Sequence, residues 1–276
     1  MPEPSLRYEI VSIHGEMRNS RTEYILGRNS RSESRDCHGY CDGDPNQPGA
    51  VTRYKYGPLR AYIQNRDLHY CFQLDLEAGV YTASRVSKYG SPKWYNRKPT
   101  RPQPSGRTVH VHTHTIDTGE RREMYGYTAR HVIARTTHKY DSGPAEMEVD
   151  GWYIDSPAAW LTLHPPQRGH VILASNGQFD TPIFTEDGPR ETGFPVLLTR
   201  THRSRSTDAE GKVRDHNLVG REEITEFSEE DLQYDLFVPP RDFRRVLQLP
   251  GYSPLPFGLR MRLGWERFKD AVAAKR

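Results

Sequence analysis

Apolar and polar residues alternate along most of the chain with the period of two that is typical of β-strands. The clearest stretch is 59–85, in which apolar residues alternate with more polar ones from Leu68 to Leu74. Because successive side chains of a strand point to opposite faces, this pattern predicts a sheet with one apolar face and one solvated face. Turn residues at 65–67 and 77–79 divide the stretch into three consecutive antiparallel strands.

Similar alternation predicts strands over most of 6–88 and again from residue 107, with a polar turn at 117–121. The further candidate strands are 107–116, 127–138, 146–155, 194–203 and 213–227. Helical signals are rare, namely a helix start near Ser228 and an amphipathic stretch over 263–275. We therefore predict a mainly β fold, a curved antiparallel sheet or half-barrel with few short helices and a C-terminal helix.

A proline-rich segment interrupts the alternation at 89–106. It contains four prolines, which lack the amide donor that a sheet requires, so it is expected to be a surface connection. A length of 276 residues is compatible with one large β-rich domain or with two smaller ones. We predict a single domain over 1–276, with 89–106 as the candidate internal boundary.

Composition narrows the class of protein. No apolar run approaches the roughly 18 residues that a membrane-spanning helix needs, so the protein is not expected to span a membrane. The chain contains 4 Trp, 16 Tyr and 9 Phe and has a net charge of +3, and both properties argue against disorder. Its 39 basic residues are interleaved with 36 acidic ones, so no basic stripe indicates a nucleic-acid partner.

The three cysteines are too few for a disulfide scaffold. Cys37 and Cys41 are near enough in sequence to bridge across a loop, which would leave Cys71 unpaired. Two free thiols at Cys37 and Cys41 are the alternative.

Three histidines, His110, His112 and His114, alternate with other residues in the sequence VHVHTHT. On a strand they share one face at spacings of about 6.5–7 Å, so two of them could bind one zinc or copper ion. The candidate third ligands from nearby sequence are His131, His138 and Asp117. A solvated strand face of Thr and His gives the same pattern, so we expect no cofactor, with zinc or copper as the alternative.

The segment Thr115–Gly119 matches the hydrophobic-Asp-Thr-Gly signature of aspartic proteases, in which two carboxylates share a proton. The chain has one copy, and the charged residues 120–122 that follow are unsuited to the floor of such a site. A turn built from Asp, Thr and Gly explains the segment better. Other standard catalytic signatures are missing from the sequence, so no catalytic residue is predicted.

An aromatic cluster bracketed by carboxylates occupies 150–155. Alternation predicts that Trp152 and Ile154 face one way and that Tyr153 points outward. Together with Tyr70 and Phe72 of the first alternating stretch, Trp152 and Ile154 are the candidate residues for binding a hydrophobic ligand. Packing in the core is the alternative role for such residues.

Six segments carry distinctive strand and turn patterns, namely 62–81, 117–121, 128–133, 150–155, 224–228 and 236–239. The first is similar to the hairpin pattern of bacterial envelope proteins of the lipoprotein-carrier (LolA/LolB-like) half-barrel group. The next three resemble an uncharacterised family of exported bacterial proteins related to that group. The last two resemble the closing strand, short helix and proline turn common there.

The resemblance implies a curved antiparallel sheet, open on one side, that holds a hydrophobic ligand or an acyl chain, and a location in the periplasm or cell envelope. It brings no catalytic residues. Proteins of this group are exported behind a signal peptide or lipobox, and the sequence shows neither, so a cytoplasmic location stays open. The helical segments that cover the ligand in carriers are also missing, because 156–192 is rich in proline and glycine.

We therefore expect a non-enzymatic cell-envelope protein that binds a hydrophobic small molecule or lipid on the concave face of a β-sheet. One alternative is a metal-binding protein or metal-dependent enzyme that uses the three alternating histidines. Another is a structural subunit of an envelope assembly, whose protein partner would contact edge strands and the segment 89–106.

Overall fold

The structure is a computed structural model that describes residues 5–15, 17–42, 51–86, 104–140, 143–156, 179–207, 213–252, 258, 260, 261, 263–265 and 268. In chain order its strands are β1 (Ser5–His14), β2 (Met17–Leu26), β3 (Asn29–Asp42), β4 (Val51–Asn65), β5 (Tyr70–Asp75), β6 (Val80–Arg85), β7 (Pro104–Met124), β8 (Tyr127–Tyr140), β9 (Gly143–Ile154), β10 (Phe179–Asp187), β11 (Phe194–Thr207), β12 (Val213–Ser228) and β13 (Arg244–Arg245). The predicted mainly β class with little helix is confirmed. In the part of the chain that is described, no helix has the length and apolar character needed to cross a membrane.

The chain divides into two compact units. Unit 1 comprises Met1–Ser5, Arg21–Asn96 and Glu230–Arg276, and unit 2 comprises Leu6–Ser20 and Arg97–Glu229. The predicted single domain over 1–276 stays a prediction. Most of the candidate boundary, 89–103, lies outside the described residues, and 104–106 begin β7.

In unit 1, β2 to β6 follow one another as antiparallel neighbours, and β13 pairs with β6 in parallel. The three strands predicted within 59–85 are therefore confirmed. The core contains Ile63 and Leu74 from the sheet, and Phe237 from the C-terminal segment packs against them. One face of this sheet is thus covered by the chain itself.

The short helix that was expected to start near Ser228 begins later. Ser228 is the last residue of β12, and a 3-10 helix spans Tyr234–Phe237 without a side-chain cap. Tertiary hydrogen bonds position this helix: Asn65 Nδ2 donates to the carbonyl of Phe237 at 3.0 Å, and Arg31 Nη1 donates to that of Leu236 at 2.8 Å. Contacts with the sheet therefore take the place of the predicted local cap.

The segment 37–41 is part of β3 and is not a loop. Four residues of a strand extend about 13 Å, whereas the two Cα atoms of a disulfide lie within about 7 Å of each other. This conformation excludes the Cys37–Cys41 bridge, and Cys37 and Cys71 are free thiols. Burial raises the pKa of the Cys71 thiol, so it is less reactive than an ordinary cysteine.

In unit 2 the strand order is β10-β7-β8-β9-β11-β12-β1, and every pairing is antiparallel except β10 with β7. Strand β10 was not predicted, because it lies in the proline- and glycine-rich stretch 156–192. At its end, Gly188 lies so close to β7 that an added Cβ would be 1.9 Å from the carbonyl oxygen of Thr115. Glycine is therefore required where β10 leaves the sheet.

The predicted turn at 117–121 is wrong: β7 continues through it, and the chain reverses at 125–126. Asp117 opposes Val132 and Arg121 opposes Arg130, so the three residues 118–120 of β7 lie opposite a single residue of β8. This is a β-bulge. The turn chemistry is nevertheless present, because the backbone N–H of Gly119, at a φ of 81°, donates to Asp117 Oδ1 at 2.9 Å.

Candidate functional site

The sheet of unit 2 has two chemically different faces. Residues that oppose each other across paired strands share a face, and one face carries the buried apolar residues. These are Val111 of β7, Val132 and Ala134 of β8, Val149 of β9 and Leu198 of β11. The opposite face carries cross-strand ion pairs, such as Arg135 with Glu148 at 2.7 Å and Arg203 with Glu146 at 3.0 Å. The predicted one-sided sheet is confirmed in this unit, and we call the first face the apolar face.

Two buried polar residues of the apolar face form a hydrogen bond with each other. Thr113 and Thr136 oppose each other on β7 and β8, and their hydroxyl oxygens lie 3.0 Å apart. A hydroxyl that is already hydrogen-bonded costs little to bury. These threonines therefore present methyl groups without an unsatisfied polar atom.

Tyr153 belongs to the apolar face, which corrects the expectation that it points outward. It is almost fully buried and packs with Val132, Val149 and Leu198. Gly151 makes room for its ring, since an added Cβ would lie 2.7 Å from Tyr153 Oη. Burial raises the pKa of Tyr153, so its hydroxyl stays neutral.

Exposed apolar side chains lie on the apolar face at β10 and β12. Phe184 of β10 opposes Val111, and Leu218 of β12 opposes His202, which in turn opposes Met147. Both Phe184 and Leu218 are exposed, and Leu218 is 69% exposed. Their chain neighbours Ile183 and Val219 are also exposed but lie on the opposite face.

The predicted ligand residues Trp152 and Ile154 lie outside the apolar face. Trp152 opposes His131 on the charged face, and the two rings stack with centroids 4.8 Å apart. The Arg122 guanidinium lies 4.0 Å from the centroid of the Trp152 ring. Ile154 is fully buried and opposes Phe194.

Tyr70 and Phe72, the other two predicted ligand residues, belong to unit 1. Their rings stack with centroids 5.7 Å apart. Phe72 is buried in the core cluster that contains Phe237. The four predicted residues are thus divided between a core contact in unit 1 and two positions on β9 in unit 2.

The histidines of the VHVHTHT sequence share the charged face of β7, as predicted. The parallel strand β10 places Thr185 beside His112 and Asp187 beside His114. His114 Nδ1 lies 2.8 Å from Asp187 Oδ2, and His112 Nε2 lies 3.3 Å from Asp187 Oδ1. Nothing in the sequence indicates Asp187, because this pairing joins residues that are 73 positions apart.

The third metal ligands that the sequence suggested have other neighbours. His138 lies on the apolar face opposite Val111, His131 Nε2 is 2.9 Å from Asp150 Oδ1, and Asp117 pairs with Arg121. Within the described ranges, no three His, Cys, Asp or Glu side chains are placed to hold a metal ion. Zinc or copper binding at His110, His112 and His114 stays a prediction.

The carboxylate of Asp117 is held by the bulge. Arg121 donates to both of its oxygens, at 2.8 and 2.7 Å, and with the Gly119 amide it lowers the pKa of Asp117 to about 2. A proton-sharing dyad would need a second carboxylate beside it, whereas Asp117 is bound to a guanidinium. The Asp-Thr-Gly sequence therefore has a structural role in the bulge, in keeping with its interpretation as turn-forming residues.

The lowered pKa of Asp117 predicts a pH effect on stability. Because the folded-state pKa of about 2 lies below the unfolded value, the stabilisation is complete above about pH 4 and is lost as the pH falls toward 2. Asp117→Asn should therefore remove part of the loss of stability seen between those two pH values. The side chain is partly exposed, so the effect is at most about 1 kcal/mol in urea unfolding.

The control for this prediction is Arg121→Met, which keeps the carboxylate but removes its two charged hydrogen bonds. It should diminish the same pH dependence. An Asp117→Asn protein that loses stability between pH 4 and pH 2 just as the unaltered protein does would contradict the assigned role of the ion pair.

A partly buried ion pair in unit 2 was not predicted from the sequence. Arg130 of β8 donates through Nη2 to Glu191 Oε1 at 2.8 Å and through Nε to Oε2 at 3.3 Å. The Gly193 amide donates to the same carboxylate at 2.5 Å, and Arg130 also pairs with the exposed Asp155. Glu191 lies in the proline- and glycine-rich stretch, where no local pattern distinguishes it from a solvated residue.

Comparison of the chain with protein-family models finds no match, and comparison with curated proteins finds none either.

Proposed function

We propose that the protein is a non-enzymatic binding protein of the cell envelope, and that it takes a hydrophobic or lipid-like ligand against the apolar face of unit 2. The observation that carries the proposal is the separation of the two faces. The face of β7, β8, β9 and β11 that carries buried valine, alanine and leucine side chains is distinct from the face that carries the cross-strand ion pairs.

The chemistry of the apolar face favours an aliphatic ligand. The buried side chains of its central strands are mainly aliphatic, and the exposed Phe184 and Leu218 at its margin supply the apolar area that a ligand would bury, at roughly 25 cal/mol per Å². Its charged residues at β11 and β12 neutralise each other, since Arg200 Nη1 lies 2.6 Å from Glu222 Oε2. An acyl chain matches this surface, because it needs apolar contact and no hydrogen-bond partner.

The envelope location and the half-barrel shape are part of the proposal and rest on the resemblance to the lipoprotein-carrier group. Native mass spectrometry of protein purified from its own host tests both the ligand and the location, since it reports co-purifying lipid together with the mature N-terminus. A bare polypeptide with an unprocessed start would count against both.

A matched pair of variants tests whether the ligand uses the apolar face. Leu218 and Val219 are adjacent, 69% and 52% exposed, and lie on opposite faces of β12. Leu218→Asp should weaken the binding of a fluorescent fatty acid about tenfold or more, because a carboxylate then borders the apolar face. Val219→Asp should leave the affinity within about twofold, since surface changes of this kind are usually nearly neutral.

A second pair of variants on β10, Phe184→Asp and Ile183→Asp, tests the same hypothesis independently. Fluorescence titration of all four variants measures the affinities, and circular dichroism checks that each is folded. Equal effects within both pairs, or no binding of the probe by the unaltered protein, would contradict a ligand site on the apolar face.

A further inference from the structure

The C-terminal segment presents large apolar side chains to solvent on a helix. Residues 258, 260, 261, 263–265 and 268 are helical. Met261, Trp265 and Phe268 are 61%, 57% and 56% exposed. Their spacing of four and then three residues places them on one side of a helix, and the rings of Trp265 and Phe268 stack at 5.5 Å.

This exposed stripe is distinct from the side on which the helix is shielded. Leu263 lies about half a turn away from Met261 and is only partly exposed. Single exposed apolar residues are ordinary on a protein surface, but a contiguous group of large ones marks an interaction site. The stripe of Met261, Trp265 and Phe268 is therefore a candidate interaction surface.

Charge indicates which occupant fits. The segment 258–276 contains six of the chain's 39 basic residues and two of its 36 acidic ones, which gives it a charge of +4. The remaining 257 residues contain 33 basic and 34 acidic residues and so carry −1. The positive excess of the whole protein is thus concentrated in the sequence that also carries the exposed stripe.

We propose that this helix binds an anionic lipid surface and lies in the plane of the interface, with Met261, Trp265 and Phe268 at the boundary of headgroups and acyl chains. Tryptophan favours that boundary, and basic residues beside an apolar stripe are typical of helices that lie on membranes. A second copy of the chain fits less well, because two segments of charge +4 repel each other.

The test is co-sedimentation of the full chain with vesicles. One set is phosphatidylcholine alone, and the other contains about one quarter phosphatidylglycerol to supply negative charge. We expect binding to the anionic vesicles at least about tenfold tighter than to the neutral ones, and a marked loss at high salt, which screens the attraction. Combined Met261→Ser, Trp265→Ser and Phe268→Ser should reduce the binding at least about tenfold.

The control variant combines Ile183→Ser, Val213→Ser and Val219→Ser, which remove three other exposed apolar side chains. It should bind anionic vesicles as the unaltered protein does, and so should Leu218→Asp, because the membrane contact does not depend on the proposed ligand. Circular dichroism and the thermal unfolding midpoint verify that each variant folds.

Three results would overturn the proposal: no binding to anionic vesicles, equal binding to both vesicle types, or the same loss in the control variant as in the helix variant. Light scattering tests whether a second copy of the chain binds the stripe instead. A concentration-dependent dimer that disappears in the helix variant, without vesicle binding, would assign the stripe to a second copy.

Discussion

Replacing Arg130 with alanine is expected to destabilise unit 2 by about 3–5 kcal/mol, because it leaves a carboxylate buried without its charged partner. Glu191 is buried, and its described donors are Arg130 and the amide of Gly193. One amide cannot replace the two charged hydrogen bonds that the guanidinium supplies. Denaturant unfolding followed by circular dichroism measures the loss.

The matched control is Arg135→Ala on the same strand. Arg135 also pairs with a carboxylate, that of Glu148 at 2.7 Å, but the arginine side chain is about half exposed. Its loss should cost far less stability than that of Arg130, since exposed ion pairs contribute little. Similar losses in the two variants would contradict the role assigned to the buried pair.

A double variant separates the unpaired charge from the lost packing. Arg130→Met with Glu191→Gln removes both charges and keeps most of the volume. It should be more stable than Arg130→Ala, because no buried charge remains without a partner. The two positions are in contact, so their effects are not expected to add.

Strands were the most predictable part of the fold, because alternation is local. The strands of 59–85 and the solvated and apolar faces of unit 2 follow from a period of two that each segment carries by itself. Alternation could not predict which side chains of 150–155 lie on the apolar face, because Trp152, Tyr153 and Ile154 are all large and apolar. Register with Val149 decided it, and Gly151 made room for the Tyr153 ring.

Long-range pairings could not be predicted for a different reason. The β10 segment has a proline and a mixed sequence, and it becomes a strand by pairing with β7. Asp187 beside His114, and Glu191 beside Arg130, both depend on this part of the chain. The shared face of the histidines was therefore predictable, whereas their carboxylate neighbour was not.

The bulge of β7 is an intermediate case. Asp117 and Gly119 form the local hydrogen bond that their sequence predicts, but the strand resumes after them. Local chemistry indicates where the backbone turns. Whether a turn ends a strand or becomes a bulge depends on the partner strand, and β8 extends far enough to pair on both sides of it.

The second large effect is expected in unit 1, where Phe237→Ala should cost about 3–5 kcal/mol. Phe237 is fully buried against Ile63, Phe72 and Leu74. Its removal leaves a cavity that the strands cannot close, because Asn65 continues to hold the carbonyl at position 237. Denaturant unfolding measures the loss of stability.

Leu68→Ala is the control for Phe237→Ala, and it tests the sequence pattern as well. Alternation placed Leu68 with Phe72 and Leu74, whereas the structure places it, exposed, in the turn before β5. Its replacement should change stability by no more than about 0.5 kcal/mol. A large loss from Leu68→Ala, or a small one from Phe237→Ala, would contradict the described core of unit 1.

The Phe237→Ala variant also separates the two sets of residues that could bind the ligand. Phe72 is in contact with the chain's own C-terminal segment, so a ligand at Phe72 would have to displace Phe237. If the ligand binds there, the cavity of Phe237→Ala should increase the affinity for the fluorescent fatty acid. If it binds the apolar face of unit 2, as we propose, the affinity should change by less than about twofold, while Leu218→Asp still reduces it.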